Sequence, residues 1–246
     1  MNQIRTALIV GGSGGIGRAC ALELMVAGFS VVLAARDPAR LAAAAREVGA
    51  SRWIAGDSAD EQGAAAIAEA VTDVQVLIHV AGVNPEQSPL LEVPAETFDT
   101  VIRSNLRSAF LIAKAIVPKM TEGGRMIFVS STSAARGLPG FGAYSASKGG
   151  LRALAGALAG EIAADGVNVS VLTPGPVDTA MFDTGPAGVP LLQPRDVAQA
   201  ARYLAELPPS VAVEELTLRA NRKHAVTVSR PAAMTGHLPD DRLSAG

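Results

Sequence analysis

The chain has 246 residues, a formal net charge of −2, 49% hydrophobic residues and one cysteine. That length fits one large α/β domain and a core that needs no staples, a single cysteine excludes an intramolecular disulfide, and the near-neutral charge argues against a nucleic-acid partner. No apolar run approaches the ~20 residues of a membrane span, and the chain is expected to be cytoplasmic.

In chain order, Thr6 to Val10 is a short run of strand formers, followed by Gly11-Gly12-Ser13-Gly14-Gly15-Ile16-Gly17. A helix is expected from Arg18 to Ala27, closed by Gly28, and a second strand from Ser30 to Ala35. A glycine loop between a strand and a helix lets backbone approach a pyrophosphate at the helix N-terminus. An αβ corner without a ligand has the same composition. The second strand ends in Ala35-Arg36-Asp37-Pro38. Asp37 before Pro38 reads as the N-cap of a helix running to Val48. Ala35 stands where an acid would meet the ribose of NAD, and Arg36 suits a 2′-phosphate, which favours NADP over NAD.

A third strand, Arg52 to Ala55, leads to Gly56-Asp57-Ser58. Asp57 suits an adenine amino group or the capping of a helix from Asp60 to Val71; the two are compatible. A fourth strand, Val74 to Val80, contains His79, expected as a packed core residue, and ends in Ala81-Gly82. Pro94 to Met120 reads as one or two long helices around Asn105, for which solvation is the plain expectation. A fifth strand, Arg125 to Ser130, runs into Ser131-Thr132-Ser133, and a helix from Tyr144 to about Ala164 ends at Gly166. The sixth strand, Asn168 to Leu172, precedes Thr173-Pro174-Gly175-Pro176-Val177-Asp178-Thr179. Met181 to Gln193 is a candidate lid, Arg195 to Glu206 a helix, and Val211 to Arg219 a last strand. Residues 1–220 are expected to form one domain, with a tail over 221–246.

Alternating strands and helices define an α/β, doubly wound parallel sheet, the Rossmann fold, in a single domain. Ligands of such sheets lie beyond the C-terminal strand ends, where the glycine-rich and polar motifs fall. Within Tyr144-Ser145-Ala146-Ser147-Lys148, Tyr144 and Lys148 are one helical turn apart. A nearby cation is expected to draw the phenol pKa down toward the working range. The helix they share is apolar on most faces, which predicts burial all round and a homodimer or homotetramer through it. Leu138, Phe141, Met181, Phe182, Leu191 and Leu192 suggest an apolar-lined pocket for a small molecule.

Over residues 4–220 the sequence resembles the short-chain dehydrogenase/reductase family, in its smaller single-domain subgroup. Gly11, Gly15, Gly17, Asp57, Ala81-Gly82, Asn105, Ser131, Tyr144-x-x-x-Lys148, Pro174-Gly175 and Thr179 match its motifs in order. The 13 residues from Ser131 to Tyr144 select Ser131 among its neighbours. The chain departs from the family at Val10, at His79-Val80, and at Val213 to Arg219, where a paired-glycine ending is missing. The resemblance implies hydride transfer between NADP(H) and a carbonyl or alcohol. Tyr144 is then the general acid/base, Lys148 tunes it and holds the ribose, and Ser131 polarises the carbonyl. Asn105 holds a water, Thr179 fixes the carboxamide, and Gly11, Ser13, Gly14, Gly15, Ile16, Gly17, Arg36, Asp57, Ser58, Ala81, Gly82, Pro174, Gly175 and Val177 contact the cofactor; no metal is implied. A rival from another class is a non-catalytic NADP-binding sensor on the same fold.

Overall fold

The computed structural model describes residues 5–182 and 189–221. Seven strands form one parallel sheet: β1 (Arg5–Val10), β2 (Phe29–Ala35), β3 (Arg52–Ala55), β4 (Val74–His79), β5 (Met120–Val129), β6 (Asn168–Pro174) and β7 (Glu215–Leu218). Their order is β3-β2-β1-β4-β5-β6-β7, so strand order reverses between β1 and β4 and opens a crevice there.

The strands read as unbroken apolar runs because both sheet faces are covered. Along β1, Ala7 and Ile9 enter one core, with Val31 and Leu33 of β2. Leu8 and Val10 enter the opposite core, with Leu77 of β4 and Phe128 of β5. The first core is covered by α1 (Gly15–Val26), α2 (Pro38–Val48) and α7 (Pro194–Glu206). The second is covered by α3 (Glu61–Glu69), α5 (Ser108–Ile116) and α6 (Gly142–Glu161), with α4 (Ala95–Ile102) packed against α6.

Local chemistry sets the helix ends. Asp37 caps α2, its Oδ1 accepting from Ala39 N at 2.9 Å and Arg40 N at 3.0 Å, with Pro38 at the first helical position. Asp60, not Asp57, caps α3. Gly28, φ +82°, closes the chain after α1, as its position predicts.

Two strand bounds are corrected. The last strand spans only Glu215–Leu218, while the fifth begins five residues earlier than expected, at Met120. The 94–120 region, expected as one or two helices, is two α-helices joined by a π-helical turn, Arg103–Arg107. On α6, Ala146, Ala153, Gly156, Ala157 and Gly160 are exposed in the chain alone, on the face for which a second copy is expected. The tail from 222 onward and the middle of the expected lid lie outside the described residues. No described helix is long and apolar enough to cross a membrane.

Candidate active site

The C-terminal strand ends bring the predicted motifs to one crevice. Gly11 turns the chain out of β1 at φ +94°, and a Cβ there would stand 2.5 Å from the Ala81 backbone nitrogen. A Cβ on Gly17 would lie 2.3 Å from the Gly11 carbonyl oxygen. Both glycines are therefore required for the close approach of loop, helix and β4. Helix α1 begins at Gly15 with Gly14 as N-cap, with no side-chain cap and no acid in its first turn. The early N–H groups carried by Gly15, Ile16 and Gly17 thus face the crevice without a side-chain acceptor, an arrangement that fits an anion. Ser13 belongs to the same loop, and Thr179 approaches it from the other side, its Cγ2 3.2 Å from where a Gly15 Cβ would be. Gly175 N donates to Leu218 O at 2.8 Å, which fastens Pro174-Gly175 to β7. Val177 is buried in a bridge with Leu192.

Arg36 is exposed at the end of β2. Asp57 accepts from Ala59 N at 3.0 Å and pairs with Arg103 at 3.0 Å, so it organises its own loop and ties it to the π turn, beside Ser58. Ala81 and Gly82 follow β4 at the switch point. A Cβ on Gly82 would lie 2.8 Å from Asn105 Oδ1 and 3.5 Å from Lys148 Nζ.

Asn105 is fully buried, against the expectation of a solvated side chain. The π turn is the reason, since it swings the residue inward. Its Oδ1 accepts from Val83 N at 2.6 Å, and its Nδ2 donates to Val83 O and to Ser147 Oγ, both at 2.9 Å. Ser147 Oγ in turn donates to Tyr144 O at 2.7 Å. Sequence reasoning missed this link, although Ser147 lies inside the Tyr144–Lys148 stretch.

On α6, Tyr144 and Lys148 share one face. Lys148 is 4% exposed, and its Nζ donates to Val129 O at 2.9 Å and stands 5.9 Å from the Tyr144 ring centre. Burial pulls its ammonium down to about 8. The phenol of Tyr144 is pushed up by burial, and a hydrogen bond with Ser131 only partly opposes this. That reverses the expected downward shift, because desolvation acts directly on the phenol. Ser131 Oγ accepts from Ser133 N and from Ser133 Oγ at 3.0 Å, leaving its own hydrogen to donate elsewhere.

His79 is a fully buried core residue, as expected. Ser108 Oγ gives its hydrogen to Ser104 O at 2.6 Å, so His79 Nε2, 3.1 Å from the same oxygen, must be the donor. Burial, then the Lys148 charge, holds the imidazole neutral with its pKa lowered to about 3. Among the described residues no group of three or more His, Cys, Asp or Glu could hold a metal ion.

Of the six apolar side chains expected to line a pocket, Phe141 lines a cavity of about 290 Å3 that includes Tyr144. Leu138 lines a neighbouring cavity of about 630 Å3. Leu191 and Leu192 are instead buried in the structure, where Leu192 N donates to Pro176 O at 2.9 Å.

A parallel doubly wound sheet with a glycine loop at its switch point and a Tyr-Lys-Ser cluster beside it defines a dinucleotide-type oxidoreductase fold. The short chain dehydrogenase family model matches residues 5–188, and the chain belongs to that family. A 2-dehydro-3-deoxy-L-rhamnonate dehydrogenase (NAD(+)) of Sphingomonas sp. is 33% identical over 188 residues, covering 74% of this chain and 76% of its own. The crystal structure of BdcA in complex with NADPH aligns with a TM-score of 0.81 at 26% identity, over 88% of this chain and 93% of that one. A 3-ketoacyl-(acyl-carrier-protein) reductase from Brucella melitensis complexed with NADH gives 0.82 at 27% identity, over 89% and 98%.

Proposed function

We propose that the chain is an NADP(H)-dependent carbonyl reductase or alcohol dehydrogenase with Tyr144 as general acid/base. The observation that carries this reading is the Ser131–Tyr144–Lys148 cluster, built at the strand ends beside a glycine loop whose helix N-terminus suits a pyrophosphate. The loop from Gly11 to Gly17 would hold the pyrophosphate, Asp57 and Ser58 the adenine side, and Ala81 and Gly82 the crevice floor. Pro174, Gly175, Val177 and Thr179 would hold the nicotinamide side, with Tyr144 and Lys148 at its ribose. When bound, the nicotinamide supplies the hydride that reduces the carbonyl carbon and is itself oxidised.

The residues of the chain manage the proton. A phenol with a raised pKa stays protonated at neutral pH and is ready to give its hydrogen to the carbonyl oxygen. The Ser131 hydroxyl donates to the same oxygen, a contact that strengthens as negative charge develops. Lys148 would offset the phenolate left behind. Both hydrogens on Asn105 Nδ2 are already donated, so any water it holds must be held through an acceptor oxygen. Asn105 then acts chiefly by positioning Val83 and Ser147.

Arg36, exposed where β2 ends, and Asp37, engaged as a helix cap, support NADP over NAD. One steady-state experiment tests the reading. Tyr144→Phe is expected to lower turnover by at least ~100-fold with cofactor binding kept. Wild type is expected to favour NADPH over NADH by roughly 10- to 100-fold in kcat/KM, and Ala35→Asp with Arg36→Ala to reverse the order. Near-normal turnover in Tyr144→Phe would mean another acid, and an NADH preference abolished by Asp37→Ala would defeat the NADP assignment.

The exposed small-residue face of α6 supports assembly of two copies through it. Light scattering at micromolar concentration checks this, and a monomer refutes it.

A further inference from the structure

The chain from His79 to Val83, where β4 ends, meets the π turn and the start of α5 at two places. One is the grip of Asn105 on Val83. The other is the contact of His79 with Ser108. Both of these polar side chains are buried, His79 completely and Ser108 to 1% exposed. Neither belongs to the proton-handling group of Ser131, Tyr144 and Lys148.

The hydrogen bonding of the π turn explains what they do. Ser108 N donates to Arg103 O, five residues back. In an α-helix the same amide would serve Ser104 O, four residues back. The Ser104 carbonyl therefore loses its ordinary donor where the turn widens. Ser108 Oγ replaces that donor, giving its hydrogen to Ser104 O at 2.6 Å. The hydroxyl has one hydrogen, so its oxygen is left as an acceptor, and His79 Nε2–H fills it at 3.1 Å. An unmet carbonyl would draw the Ser108 amide back to Ser104 and restore ordinary winding. The hydroxyl removes that incentive, and the imidazole fixes the hydroxyl.

His79 is a firm anchor. It pairs with Val10 of β1 and Phe128 of β5 in the middle of the sheet, and its ring lies tilted against that of Phe128 at 6.1 Å. Burial keeps it neutral, so it offers the same N–H throughout the working range. The turn that it steadies is what points Asn105 inward. Asn105 then holds Val83 and Ser147, and Ser147 Oγ carries the contact to Tyr144 O. We propose that Ser108 and His79 are positioning residues that lock the π turn and through it hold Asn105 against Val83 and the Tyr144 helix. This rests on the reductase reading of Tyr144.

The test uses the full chain with NADPH and cyclohexanone, and reads kcat and KM beside amide hydrogen exchange without cofactor. Ser108→Ala deletes the hydroxyl. His79→Phe deletes the N–H and keeps a ring, whereas His79→Gln keeps an N–H donor. Ser108→Ala and His79→Phe are each expected to lower kcat roughly 10-fold, with KM for NADPH within about twofold. The Val83 amide, released by Asn105, should exchange at least ~10-fold faster, while the Leu8 and Ile127 amides of the sheet keep their rates. His79→Gln should bring both readouts within about threefold of wild type. In an Asn105→Ala background neither change should lower kcat further, because a residue that acts through Asn105 then has nothing to place. Unchanged kcat in Ser108→Ala, additive losses in the Asn105→Ala background, or equal acceleration of Val83 and the sheet amides would overturn the proposal in favour of plain core packing. Ser108→Ala, which removes a single oxygen, decides alone where His79→Phe does not fold. NADPH binding by wild type without reduction of cyclohexanone would count against the reductase reading, and an unaccelerated Val83 amide counts against the lock in either case.

Discussion

Strand β5 carries one buried cation at its middle and meets another at its C-terminal end, and the two are treated differently. In mid-strand Arg125, 1% exposed, donates to Val211 O at 2.8 Å, to Leu207 O at 2.9 Å and to Pro208 O. These carbonyls follow the end of α7, where backbone acceptors lack helical partners and the dipole is negative. At the C-terminal end Val129 O accepts from Lys148, whose ammonium makes no other described hydrogen bond. Neither cation has a carboxylate partner within the ion-pair distance among the described residues. Arg125 commits its two terminal nitrogens to scaffold carbonyls, and only its Nε lacks a partner. Lys148 keeps most of its hydrogens uncommitted beside Tyr144, and the effect of burial surfaces as a pKa near 8. A buried cation with most of its donors engaged is structure; one with most of them in reserve beside a phenol is equipped for chemistry.

Exchanging each cation for methionine breaks the comparison most directly. Lys148→Met is expected to lower turnover by at least ~100-fold, with thermal stability unchanged or improved because a buried charge is gone. Arg125→Met should do the reverse. It leaves carbonyls unpaired, costs about 2–4 kcal/mol and lowers Tm by about 5–15 °C, with turnover at 25 °C retained. Calorimetry with assays on the same samples checks both, and an Arg125→Met protein that melts normally but is inactive would erase the distinction.

A smaller effect sharpens it. The kcat/KM for reduction reports groups of the free enzyme, so it is expected to fall above pH about 8, where Lys148 loses its proton. Stability moves the other way. The folded pKa lies below the usual 10.5, so between these values the unfolded chain binds more protons and stability rises with pH. The contribution is at most ~1.4 kcal/mol per pH unit, measured against Lys148→Met. Activity and stability rising together across that window would contradict the assignment.

The sheet was legible because both-face burial writes itself as apolar runs and because Asp37-Pro38 and Gly28 carry unambiguous backbone chemistry. The placing of Gly11, Ala81 and Gly82 at one crevice followed from the alternation of strands and helices, which puts all three just past C-terminal strand ends. Asn105 was not legible in its surroundings, because a π turn leaves no mark in composition. Nor was the direction of the Tyr144 shift, since spacing reveals a neighbouring charge but not how much water burial removes from both groups. Leu191 and Leu192 misled for a related reason: an apolar side chain in a loop looks the same whether it faces a ligand or closes a bridge with Val177.

The wide turn over Arg103–Arg107 has a consequence for how this chain can change in length. A regular helix advances about 100° per residue and a wider turn less, so one extra residue is taken in over nearly the same rotation. Helix α4 before the turn faces α6, while α5 after it buries Leu111, Ile112 and Ile116. Removing one residue there would restore ordinary winding with both segments still facing their partners, whereas removing two would rotate one against the other by about a quarter turn. The loss of one residue would therefore cost the inward placing of Asn105 on Val83 and Ser147, not the packing of α5. The turn is thus a place where the chain can shorten by a single residue at the expense of the site and not of the core.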